Sequence, residues 1–154
     1  MSTKKPAAQT VAAFSIATLL QCGGIANAQD PIPTCKPEQV IPLTGTEPVA
    51  ELVVGSLLPE PLASRGVVVI PYCAENMRIA PVFGPGALDV SPRVGHIHVT
   101  VDKAPWHWAD AGGSPVILQG LTPGPHEVLI ELANANHQVV DKGTVKFEIP
   151  ARNR

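Results

Sequence analysis

The sequence predicts an all-β domain, an antiparallel β-sandwich of about seven strands, and three observations predict it. Seventeen prolines and thirteen glycines interrupt the 154 residues, so no long apolar stripe of helical period survives beyond the first 28. The apolar residues fall instead in short runs rich in β-branched side chains, spaced as sandwich strands are. Gly-Pro and Asn-rich turns separate the runs, as at Phe83-Gly84-Pro85-Gly86 and Thr122-Pro123-Gly124-Pro125.

The first element is a leader, residues 1–28. Lys4 and Lys5 give it a positive start, Val11 to Leu20 an apolar stretch too short to span a bilayer, and Ala26-Asn27-Ala28 a small-residue cleavage site. The pattern predicts a cleaved signal peptide and a periplasmic or secreted protein. A lipid-modified Cys22 is the weaker alternative, because Gln21 stands where lipoprotein signals want a small residue. No later stretch is long and apolar enough to be a transmembrane segment in the mature protein.

Cleavage leaves 126 residues, enough for one domain with one core. Two of the eleven Lys and Arg leave with the leader, so nine basic side chains face thirteen acidic ones. Nothing resembles the basic stripe that a phosphate backbone demands, and nucleic acid is not an expected partner.

An N-terminal extension, residues 29–48, follows. It carries Cys35, which with Cys73 forms the even pair left after the leader is removed, in a compartment where disulfides persist. A Cys35–Cys73 bond closing so long a loop is worth roughly 4 kcal/mol before strain.

The sandwich occupies residues 49–150, with a short tail at 151–154. Its expected strands are Ala50–Val54, Gly66–Tyr72, Arg78–Phe83, His96–Asp102, Pro115–Gln119, Glu127–Leu132 and Thr144–Ile149. Side chains alternate along a strand. Ile97, Val99 and Val101 therefore share one face of the fourth run, while His96, His98, Thr100 and Asp102 share the other. In the sixth, Val128, Ile130 and Leu132 point inward and Glu127 and Glu131 outward. In the last, Val145, Phe147 and Ile149 oppose Thr144, Lys146 and Glu148, the pattern of a strand with one wet face.

The five histidines are the one concentration of ligand chemistry. His96 and His98 put two imidazoles on one side of a strand about 7 Å apart along the backbone, close enough to converge on an ion if a third ligand comes from elsewhere. His137, between the last two strands, or His107 can complete the set. A thiolate-free imidazole set suits copper or zinc. The competing reading has the histidines donating to loop carbonyls or facing water. His126 has a structural alternative, because it follows Leu121-Thr122-Pro123-Gly124-Pro125 where immunoglobulin-like sandwiches place a corner tyrosine bonded to upstream backbone.

Trp106, His107 and Trp108 form a second candidate. Extended, the segment would put both indoles on one face as a platform for a sugar or aromatic ligand; structurally, they would cap the core. Asp102 and Asp110 flank it as a candidate carboxylate pair for hydrolysis. There is no nucleophile elbow, phosphate loop or zinc-protease helix, so an enzyme is unsupported and a non-catalytic role is preferred.

Glu75-Asn76-Met77-Arg78-Ile79-Ala80-Pro81-Val82-Phe83-Gly84, Val90-Ser91-Pro92-Arg93-Val94-Gly95-His96-Ile97-His98-Val99-Thr100-Val101-Asp102, Pro105-Trp106-His107-Trp108, the Gly120–His126 stretch and Leu132-Ala133-Asn134-Ala135-Asn136-His137 together resemble an uncharacterised family of exported bacterial immunoglobulin-like domains, domain of unknown function 6130. The resemblance covers most of the mature chain and implies export and an immunoglobulin-like sandwich, with no established activity. More distantly, the order Gly-His-x-His, Gly-x-His, Asn-x-x-His is similar to other secreted immunoglobulin-like modules, which singles out His96, His98, His126 and His137 as one cluster. The expected partner is thus a copper or zinc ion or, if the histidines only shape loops, an envelope protein bound by a structural or interaction module.

Overall fold

The computed structural model describes residues 41–151. The leader, the Cys35 half of the expected disulfide and residues 152–154 of the tail lie outside the described residues. The described residues are mostly strand, as the sequence predicts: β1 (Ile41–Pro42), β2 (Glu51–Val54), β3 (Val68–Ile70), β4 (Tyr72–Glu75), β5 (Met77–Ile79), β6 (Val90–Ser91), β7 (Arg93–Val101), β8 (Trp108–Asp110), β9 (Val116–Leu118), β10 (Gly124–Asn134) and β11 (Val139–Ile149). Eleven strands stand where about seven were expected. Each expected run overlaps one, though Arg78–Phe83 shares only two residues with β5, which ends at Ile79 before Pro81, and β7, β10 and β11 start earlier than expected; the four additions, β1, β4, β6 and β8, are two to four residues long, too short for a period of two to show.

The longest strands form the central sheet, in the order β11-β10-β7-β5, with β8 also paired to β7. β10 and β11 make a long antiparallel hairpin, and β10 runs antiparallel to β7 from Val128↔Val101 to Asn134↔Gly95. One pairing departs from the antiparallel expectation: β5 lies parallel to β7, Met77↔Arg93 through Ile79↔Gly95. A parallel neighbour requires a long crossover, and residues 80–92 supply it through a 3₁₀ turn, Pro85–Leu88, and β6.

Ribbons β2–β4 and β3–β9 complete the sandwich. Leu52, Val68, Ile70 and Val116 from the ribbons join Ile97, Val99, Val128, Ile130 and Leu132 from the central sheet in one buried cluster. Each such side chain taken from water contributes about 1.5–3 kcal/mol. The parity read from β7 and β10 is therefore the parity found. β2 approaches β11 so closely that a Cβ on Gly143 would meet Val54 Cγ2 at 2.8 Å.

Helix is scarce, as expected. One seven-residue segment, α1 (Pro59–Arg65), links β2 to β3. Pro59 begins it, where its missing N–H costs nothing. Gly66 ends it at φ 64, its N–H donating to the Leu62 carbonyl at 3.0 Å, as a left-handed C-cap does.

The two faces of β7 differ from an ordinary half-wet strand. Ile97 and Val99 are buried on the core side, yet His96 (0 % exposed) and His98 (6 %) are buried on the other. What covers them defines the site.

Candidate metal centre

Three segments cover the imidazole face of β7. The first is the hairpin turn between β10 and β11, which Asn134 organises. Its Oδ1 accepts the N–H groups of Asn136 (2.9 Å) and Gln138 (3.0 Å), while its carbonyl accepts the His137 N–H at 2.9 Å. His137 is thereby held at φ 62, a left-handed conformation that non-glycine residues adopt only when their surroundings impose it.

The second segment follows β5. Ala80 N–H continues the ladder to the Gly95 carbonyl, and Gly84 N–H donates to the Ala135 carbonyl at 2.9 Å. Between these anchors Phe83 stacks on His137, with centroids 5.6 Å apart and planes 8° apart, and tilts against His96 at 5.0 Å. The third is the loop from β7 to β8, which lays His107 on His98 with centroids 4.6 Å apart and planes 25° apart.

Space for this arrangement comes from small residues. Ala133, fully buried, lies directly across from His96. A Cβ on Gly95 would strike the Ala133 carbonyl oxygen and Met77 Sδ, so only glycine lets β5, β7 and β10 meet there.

The outcome is a triangle of nitrogens. His96 Nε2 lies 3.0 Å from His98 Nε2 and 3.0 Å from His137 Nδ1, and His98 Nε2 lies 3.1 Å from His137 Nδ1. With one of the three nitrogens protonated, its N–H can donate to a neighbour at these distances, but two lone pairs are then still directed at the same small space. A cation placed there would take all three lone pairs at once. Bonds of about 2.0–2.1 Å from nitrogens so spaced meet about 1 Å above their plane at angles of about 95–100°, leaving the outer side open.

The protonation states suit that role. Burial, followed by the neighbouring His137 and His98, pushes His96 down to about 4. His98 is lowered too, by burial first and then by His107 and His137, against an opposing pull from Glu131. Ligation needs neutral imidazoles. The buried Nδ1 of His96 has no hydrogen-bond partner among the described residues.

His126, singled out with these three, is elsewhere. Its position on β10 is seven residues from Ala133, the neighbour of His96, which is about 23 Å of strand. Its Nδ1 lies 2.7 Å from Asp102 Oδ2 and its Nε2 2.8 Å from the Thr122 carbonyl. Two oxygen acceptors require two N–H donors, so the ring is held as a cation: the Thr122 carbonyl first, and then Asp102, raise its pKa. Asp102 is lowered in turn, chiefly by the Glu127 N–H and then by His126. The corner role is the one His126 fills.

The carboxylate pair is not assembled. Asp110 lies across β7 from Ile97, about 17 Å of strand from Asp102, and its Oδ1 accepts the Gly112 N–H at 2.7 Å. The indoles do not make a shared exposed platform either: Trp106 is 60 % exposed, while Trp108 packs against the core. The segment is extended only from Trp108 onward, so the alternation that would pair the rings does not apply. Cys73 is buried in β4; Cys35, its expected partner, lies outside the described residues.

Phe83 and Asn134 escape a reading of the sequence alone. Phe83 precedes a Gly-Pro-Gly turn with no periodicity to give it a face, and only the spacing Asn134-x-x-x-Gln138 hints at the turn.

Among known proteins, a family model described as a family of unknown function, DUF6130, matches residues 6–154. No curated protein and no solved structure matches the chain. The match spans nearly the whole sequence, triad, corner and Phe83 loop included, and on that extent the chain belongs to the DUF6130 family.

Proposed function

We propose that the mature chain is an exported, non-catalytic domain that binds one copper or zinc ion through His96 Nε2, His98 Nε2 and His137 Nδ1, to handle or sense the ion. The observation that carries this reading is the nitrogen triangle of 3.0–3.1 Å, drawn from two segments and built from histidines of which two are buried. All-imidazole donors favour copper or zinc over oxygen-seeking cations. Calorimetry of tag-free mature protein is expected to give one equivalent of copper or zinc, and His98→Ala to weaken it. Absence of stoichiometric binding overturns the reading.

Export and the Cys35–Cys73 bond belong to the same proposal. The leader supports the first, and the even pair that Cys35 and Cys73 form after its removal the second. Periplasmic protein with its N-terminus at Gln29 and no titratable thiol is the expected product; a cytosolic product with free thiols would contradict both.

A second reading, an interaction module indifferent to metal, draws on one observation. Beyond Phe83 lies an open, largely apolar groove of about 610 Å³, lined by Val82, Pro85, Val90 and Val94 among others, within the size range of ligand sites. A specific envelope partner whose capture ignores chelators would favour it. Hydrolysis by Asp102 and Asp110 has no geometric support.

A further inference from the structure

Three imidazoles would leave one side of an ion open, and a fourth imidazole, His107, is stacked on one of them, His98. The His98–His107 centroids are 4.6 Å apart at 25°, a stack like that of His98 on His137, 5.3 Å at 20°. What His107 lacks is convergence of a nitrogen: only His96, His98 and His137 bring ligand atoms within 4.8 Å of one another.

The reason is where it sits. His96 and His98 are fixed by the β7 ladder and His137 by the Asn134 turn, whereas His107 is exposed in the loop between Val101 and Trp108. Asp102 (φ 51) and Lys103 (φ 55) turn that loop, and the Ala104 N–H returns to the Val101 carbonyl at 2.9 Å. Among the described residues, Ala104 to His107 make no further turn or loop backbone hydrogen bond beyond that one, so the ring can turn about its own side-chain bonds without breaking a ladder.

We propose that His107 is the fourth ligand, turned onto the ion by the ion itself, so that metal binding also changes the surroundings of the exposed Trp106 beside it. This rests on the three-histidine reading above and extends it. Four imidazoles would close the ion off from water, which fits an ion being held or sensed and leaves no coordination position for a substrate. The Trp106 and Trp108 rings, 6.4 Å apart, make the movement observable, since indole emission follows local polarity. Zinc is the probe of choice because it has no redox chemistry and so reports the rearrangement without redox quenching.

Glu131 is the rival fourth donor. It lies directly across from His98 on β10, on the same face, but its strand fixes it, and its carboxylate is outside the converging group.

The experiment compares tag-free mature wild type, His107→Ala and Glu131→Gln by zinc competition against a chromophoric chelator, with tryptophan emission read in the same titration. Circular dichroism checks that the two substitutions leave the fold intact. Expected is one zinc per chain in all three, with a shift in emission for wild type and Glu131→Gln. His107→Ala should lose the shift and at least the roughly tenfold in affinity that even an outer-shell partner of a metal contributes. If His107→Ala binds zinc as tightly as wild type with the same shift, or if Glu131→Gln alone weakens binding, His107 is not the ligand while the three-histidine site stands. If wild type binds no zinc or copper at all, both readings fall together.

Discussion

Two histidine sites at opposite ends of the central sheet show how environment decides what an imidazole is for. At the corner, His126 has an oxygen acceptor on each ring nitrogen and is held as a cation. In the triad, the nitrogens of His96, His98 and His137 face one another, and burial lowers the pKa of the first two, which favours their neutral form. The corner is complete as it stands and holds the chain together. The triad instead directs three ligand nitrogens at one point, an arrangement that could hold an ion, and that convergence is what the proposed function rests on.

The largest expected effect separates the two sites directly. Copper or zinc at a thousandfold excess over its dissociation constant should stabilise the wild type by about 4 kcal/mol, since only the folded chain assembles the triangle. His96→Ala should abolish that gain, whereas His126→Ala should keep it in full. Thermal melts with and without the ion, on both variants, check this. A gain that disappears with His126 instead would reverse the assignment of the two sites.

Next in size is a substitution that touches neither imidazole set but undermines one. Gly95→Ala places a methyl against the Ala133 carbonyl and Met77 Sδ, and overpacking of that kind costs about 1–3 kcal/mol. Because Gly95 adjoins His96 at the point where β5, β7 and β10 meet, metal affinity should fall along with stability. Gly124→Ala at the corner end meets nothing within 4 Å; there the cost is that of a φ of +127 alone, and metal affinity should be unchanged. Chemical denaturation and zinc titration of the two variants test the contrast.

How much of this was legible beforehand follows from the range of each signal. Alternation is a local property, so the faces of β7 and β10, the core residues Ile97, Val99, Val128, Ile130 and Leu132, and the shared side of His96 and His98 could be read directly. The ligand set needed register. Nothing local says that Ala133, and not Val128, lies across from His96, and that choice brings His137 to the pair and leaves His126 about 23 Å away along the strand. The parallel β5 pairing was hidden for the same reason, since strand direction is set by the crossover through residues 80–92. Alternation could not settle the placing of Trp106 and Trp108, because the strand begins only at Trp108; of the two alternatives the sequence left, Trp108 packs as a cap on the core while Trp106 is exposed.

The pH response of the corner is the third test. The raised pKa of His126 means that its contribution is fully present below its unfolded value, about 6.5, and is lost as pH rises through the higher folded value. The lowered pKa of Asp102 means that its contribution is present above about 3.9 and is lost as pH falls through the lower folded value. The pair therefore supports the fold best from about pH 4 to 6.5. The stability difference between metal-free wild type and His126→Ala should be largest in that window, about 1 kcal/mol given the exposure of Asp102, and should shrink at alkaline pH. A difference that grows above pH 8 would mean that the ring is neutral in the folded chain.

The smallest expected effect on the fold carries the most information about purpose. His137 occupies a left-handed backbone position, which Asn accepts more readily than most side chains do. In a protein that used His137 only to build its turn, His137→Asn would preserve everything, because Asn134 supplies the hydrogen bonds that hold the turn. In a protein that keeps a strained imidazole there for its Nδ1, the same change should leave metal-free stability within about 0.5 kcal/mol while removing one corner of the nitrogen triangle. Denaturation curves that superimpose, alongside a lost metal isotherm, would show that the strain at His137 is retained for the ion and not for the turn.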